Sequence, residues 1–126
     1  MAQLILRLIL STIALAAAAV VSGQSKPLEI YWIDVEGGGA TLIVTPDGES
    51  ILIDAGEDRD RDASRIFEVA SKHAALKKID ILVATHWHAD HYGGFARLSK
   101  LIPLGRFYDH GNIPQSLYED PSLPKL

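Results

Sequence analysis

The ten residues Thr85–Gly94, THWHADHYGG, hold three of the chain's five histidines and an aspartate within six positions. They follow an apolar run, Ile79 to Thr85, that reads as a β-strand, so the histidines stand where that strand ends. Residues two apart on an extended strand point the same way. His86 and His88 can therefore direct their imidazoles at one point while Trp87 faces away into packing. If the chain then turns into a helix, Asp90 and His91 approach the same cavity from another side. A lone histidine beside a helix start would be an ordinary surface or core residue, whereas three with an aspartate at this spacing read as a metal site. Imidazole and carboxylate donors suit Zn²⁺ best, with Mn²⁺ or Fe²⁺ also accommodated, because the chain has no cysteine to supply a soft ligand. Gly93 and Gly94 fit a tight turn behind the site.

Upstream, Leu28 to Val35 (LEIYWIDV) is apolar and β-branched enough for a strand. After the turn EGGGA come Thr41–Thr45 and a strand from Ser50 (SILIDAG), joined by Pro46, Asp47 and Gly48, so the three form a meander. The runs TLIV and ILI are continuously apolar, which predicts a sheet covered on both faces. The acidic stretch EDRDRDAS leads into a helix with Asp62 or a neighbour as N-cap, running to about Leu76. Its stripe is Ile66, Val69, Ala70 and His73 or Ala74, and its acids read as a solvated first turn that complements the helix dipole. His73 is a bystander. Downstream, a helix is expected over Gly93 to Leu101, then a short strand in GRFYDHGN that breaks at Gly111. His110, just after that strand, is a candidate further ligand or substrate contact. Residues 112–126, with three prolines and no periodicity, read as a loop or disordered tail.

The first 23 residues have a single Arg7, an apolar run from Leu8 to Val21 and the small residues Ser22 and Gly23. They read as a secretory signal peptide, too short to span a bilayer comfortably, which predicts a secreted or periplasmic protein with no stable membrane anchor once the segment is cleaved. Without it the chain keeps 11 basic residues against 16 acidic ones. Capture of nucleic-acid phosphates needs clustered Lys and Arg, and only the Lys77–Lys78 pair is present, so no nucleic-acid partner is expected. An exported chain without cysteine has no disulfides, and its stability rests on core, hydrogen bonds and metal.

The run THWHADHYGG resembles the His-x-His-x-Asp-His signature of the metallo-β-lactamase fold hydrolases. IDVEGGGATLIVTPDGESILIDAG, from Ile33 to Gly56, is similar to the opening of that fold, especially in the branch containing the hydrolase domain of bacterial DNA-uptake proteins. The resemblance spans roughly Leu28 to Gly111. It implies an α/β fold, a mixed-sheet αββα sandwich of which residues 24–111 are the N-terminal half only. It further implies that His86 and His88 are ligands of a first metal ion and that Asp90 and His91 are ligands of a second, with Asp90 also orienting the attacking water. Asp54 matches an aspartate that supports the ligands from behind, a place from which a carboxylate can fix an imidazole tautomer. The implied activity is a zinc-dependent hydrolysis, metal-activated water attacking an ester, amide or phosphoester of a small-molecule substrate. The family's third histidine for the first metal, its bridging aspartate and its last histidine find no match here, so a fragment is expected. The alternative is a non-catalytic remnant or metal-binding module that dimerises through its open sheet.

Overall fold

The computed structural model describes residues 26–111; the signal-peptide and tail expectations for residues 1–23 and 112–126 lie outside them. Five strands form one mixed sheet in sequence order: β1 Glu29–Trp32, β2 Thr41–Val44, β3 Ser50–Ile53, β4 Ile79–Val83 and β5 Leu104–Tyr108. β1, β2 and β3 pair antiparallel as the expected meander, while β3, β4 and β5 run parallel. Parallel neighbours need a crossover, and helices supply both. The first is α1, Asp60–Glu68, continued by a π-helical turn, Val69–His73; the second holds α2, Ala89–Tyr92, and α3, Phe95–Leu98.

Register decides which side chains meet the helices. Tyr31, Leu42, Leu52, Leu82 and Phe107 stand side by side across the five strands. Leu42, Leu52 and Leu82 are buried together with Ile66 and Ala70 from the first crossover and Leu98 from α3. Full burial of each such aliphatic side chain contributes about 1.5–3 kcal/mol, so this single row commits the sheet to one helix-covered face. On that face Phe95 and Phe107 pack edge to face, centroids 5.1 Å apart.

The opposite face carries Ile30, Ile43, Ile51 and Ile81 in one row and Trp32, Ile53, Val83 and Tyr108 in the next. Its apolar residues account for the continuous hydrophobic runs. Cover on both faces, however, is not found among the described residues, because Ile30, Trp32 and Tyr108 are 41%, 81% and 50% exposed.

Three local expectations are corrected. Asp62 is not the N-cap of α1. Arg59 holds that place in extended conformation, and the buried Asp62 carboxylate instead reaches back past it to accept a 2.9 Å bond from the Glu57 amide in the segment leading into the helix. The helix does not run to Leu76 as α-helix either, since a left-handed Ala75 (φ 53°) closes it and the Leu76 amide donates to the Ala70 carbonyl. The second crossover becomes helical at Ala89, four residues before the expected Gly93, which puts Asp90 and His91 on a helical turn.

The parallel β3–β4 edge is clasped at its start by a side-chain knot. Asp80 Oδ2 accepts from the Ser50 amide (3.0 Å) and hydroxyl (2.8 Å), and Lys78 Nζ lies 2.6 Å from Asp80 Oδ1. The Lys78 ammonium and the Ser50 bonds hold the Asp80 carboxyl down at about 2, against an ordinary 3.8. A depressed carboxyl stabilises the fold above its unfolded value and ceases to do so as pH falls through its folded one. Between about pH 4 and pH 2 the chain should therefore lose roughly 1–2 kcal/mol from this knot, the exposed Lys78 discounting the larger figure. Asp80→Asn should show that loss already at pH 7 and a flatter slope below pH 4 in urea denaturation. An unchanged slope would remove Asp80 as the cause.

Candidate metal centre

Asp54, just past the end of β3, is the fixed point of the site. It adopts a left-handed backbone (φ 59°), which aspartate tolerates better than most residues, and it is 5% exposed. Its amide donates to the Val83 carbonyl, tying it to the end of β4. Its carboxylate accepts three bonds, each of 2.8 Å: from the Thr85 amide to Oδ1, and from the Thr85 hydroxyl and His91 Nδ1 to Oδ2. His91 thus carries its proton on Nδ1 and keeps the Nε2 lone pair, 3.8 Å from Asp90 Oδ2.

The strand-end reasoning for the His-x-His pair holds in space. His86 Nε2 and His88 Nδ1 face each other at 3.1 Å, and the His86 and His91 ring centroids are 4.0 Å apart. Two nitrogens bound tetrahedrally to one zinc at its usual ~2.0–2.1 Å would lie ~3.3 Å apart, so this pair is spaced to share an ion. Trp87 turns away as expected, its ring against Tyr92 at 5.3 Å. The donors are imidazole and carboxylate groups, and one pair of them has the spacing of zinc ligands. The set is short of a closed shell: among the described residues no group of three or more His, Asp or Glu side chains is arranged to hold an ion. His86 and His88 spend their facing nitrogens on one hydrogen bond, while the Asp54 bond to His91 Nδ1 leaves His91 Nε2 free.

His110 is exposed and lies beside Trp87, ring centroids 6.1 Å apart, with the Trp87 indole donating to the Gly111 carbonyl. The ring contact it makes is with Trp87 and not with the three clustered histidines. Sequence reasoning missed two sets of residues. Thr85 is one. The other is the Gly38–Gly39 pair, read only as part of a turn: the Gly39 amide donates to the Asp90 carbonyl, and a Cβ on Gly38 would stand 1.8 Å from that same oxygen. On the far side, a Cβ on Gly94 would meet the Ala55 carbonyl at 1.9 Å. Backbone thus packs directly on backbone around Asp90 and His91. Three consecutive glycines joining strands that a shorter turn could join were the available signal.

Comparison with known proteins bears on this geometry. The family model of the metallo-beta-lactamase superfamily matches residues 34–125. The chain is 35% identical over 85 residues to an atrochrysone carboxyl ACP thioesterase of Aspergillus fumigatus, covering 68% of this chain and 25% of that protein. It is 33% identical over 89 residues to a metal-dependent hydrolase of Cupriavidus necator, covering 71% and 28%. Among solved structures, a HARLDQ-motif mutant of a metallo-beta-lactamase from Cronobacter sakazakii aligns with a TM-score of 0.49 at 30% identity, over 62% of this chain and 30% of that one. The chain spans about a quarter to a third of the length of the curated relatives it matches.

Proposed function

The chain belongs to the metallo-beta-lactamase superfamily, and on that footing we propose that it supplies the N-terminal, metal-binding portion of an exported zinc-dependent hydrolase. His86, His88, Asp90 and His91 would hold one or two ions, with Asp54 behind them. The observation that carries this reading is the convergence of His86 Nε2 and His88 Nδ1 at 3.1 Å beside the Asp54-anchored His91. When bound, zinc supplies Lewis-acid polarisation and a water whose pKa falls toward ~7.

The chain's own residues do the rest. Asp90, on the α2 turn beside His91, would orient the attacking water and take its proton as oxygen adds to the acyl or phosphoryl centre, then return that proton to the oxygen, sulfur or nitrogen that leaves when the scissile bond breaks. The Asp54 carboxylate holds the His91 ring in one tautomer throughout. The substrate would be a small ester, thioester, amide or phosphoester, with His110, whose ring lies beside Trp87, a candidate contact for it. Similarity to the fungal thioesterase supports a thioester among these substrates. The apolar N-terminal 23 residues support export, although among the described residues no helix is long and apolar enough to cross a membrane.

One observation favours a second reading, a metal-binding module that pairs through its sheet: the outer face is apolar and Trp32 on it is 81% exposed. A panel of p-nitrophenyl esters, a thioester and bis-p-nitrophenyl phosphate separates the two. Zinc-loaded protein in which this portion is completed by the rest of the fold should hydrolyse at least one, a chelator should abolish the rate, and Asp90→Asn should lower it by about 100-fold. Bound zinc with no hydrolysis, together with a dimer in sedimentation that Trp32→Lys dissolves, would replace the hydrolase reading with the module.

A further inference from the structure

We infer that Thr85 is a positioning residue that sets the tautomer of His86 before any ion arrives, using the same Asp54 oxygen that sets His91. The inference rests on the proposal that His86 is a ligand. Its argument is a count of protons. A carboxylate has none to give, so the 2.8 Å contact between Thr85 Oγ1 and Asp54 Oδ2 uses the single hydroxyl hydrogen of Thr85. Thr85 Oγ1 also lies 3.0 Å from His86 Nδ1. With its hydrogen committed, that oxygen can only accept, and His86 must carry its proton on Nδ1.

The consequence reaches the other side of the ring. His86 Nε2 keeps its lone pair, and it is this nitrogen that faces His88. Neutral imidazole in water favours the proton on Nε2, the form that could not ligate from that atom, and the Thr85 bond reverses the preference. Asp54 Oδ2 thus fixes two rings, His91 directly and His86 through one hydroxyl, and both present Nε2. His88 is not preset. Its Nδ1–H donates to His86 Nε2, so ion entry between them requires the His88 proton to leave Nδ1. His88 is exposed, and water can take that proton from the ring and return one to Nε2. One histidine waits in its ligating form and the other switches.

The test needs no activity. Long-range ¹⁵N–¹H correlation spectra of the metal-free chain at pH 8, assigned with His86→Ala, should show His86 protonated on Nδ1 in wild type and in Thr85→Ser. In Thr85→Val, which keeps the shape and the backbone amide bond to Asp54, the proton should move to Nε2. Zinc competition with a chromophoric chelator should show about 10-fold weaker binding for Thr85→Val and recovery in Thr85→Ser. An Nδ1 proton and unchanged affinity in Thr85→Val overturn the inference, near-UV circular dichroism establishing that the variant is folded. Failure of the underlying site reading looks different: wild type then takes up no zinc, while His86 still carries its proton on Nδ1 and Thr85→Val still moves it.

Discussion

Asp54→Ala is expected to weaken zinc binding by about 100-fold and to cost roughly 3 kcal/mol of folding free energy. The two effects have separate causes. The carboxylate is the acceptor for His91 Nδ1, the Thr85 hydroxyl and the Thr85 amide, so removing it strands three donors at the most buried point of the site. Alanine is also less at ease than aspartate at φ 59°. The affinity loss follows from tautomers: without Asp54 neither His91 nor, through Thr85, His86 is held with its Nε2 lone pair free. Asp54→Asn divides the causes. Asparagine tolerates the left-handed backbone, so stability should fall by less. Its single carbonyl oxygen cannot replace both carboxylate oxygens, so affinity should still fall by about 10-fold or more. Urea denaturation and chelator competition on the three proteins measure both. Equal affinity in wild type and Asp54→Ala would mean that the ligands orient themselves.

What the sequence disclosed and what it concealed divide along one physical line. The His-x-His pair was legible because a period of two is a local property of an extended chain. The meander and the strand cores were legible for the same reason, their apolar runs and turn residues being contiguous. Asp54 was reachable only through family resemblance, since its partners Thr85 and His91 lie 31 and 37 residues away in sequence. Thr85 was passed over because nothing local separates a threonine that relays a hydrogen bond from one that ends a strand. Gly38 was read as turn chemistry, whereas its demand comes from the Asp90 carbonyl approaching across the fold. Asp62 was misassigned as the helix cap because a capping acid at the first position and one reaching back from the third leave the same acidic first turn.

The outer face of the sheet teaches the converse. Its rows of isoleucine and valine led to an expectation of cover on both sides, and the residues do line one surface in register. What lies over them cannot be decided by hydrophobicity, which specifies that a surface be covered and not by which chain. This bears on the site, because β3 and β4 deliver Asp54 and the histidines from the ends of the same two strands that carry Ile53 and Val83 on that face.

A metal ion held by the THWHADH segment through the His86–His88 pair makes the metal content of the chain depend on those two side chains. The purified chain and a His86→Ala, His88→Ala double variant would be equilibrated with equal zinc, freed of excess by gel filtration and assayed by elemental analysis. Wild type should retain about one equivalent or more and the double variant less than about a tenth of it. Equal zinc in the two proteins, or none in wild type, would contradict a metal site at this pair.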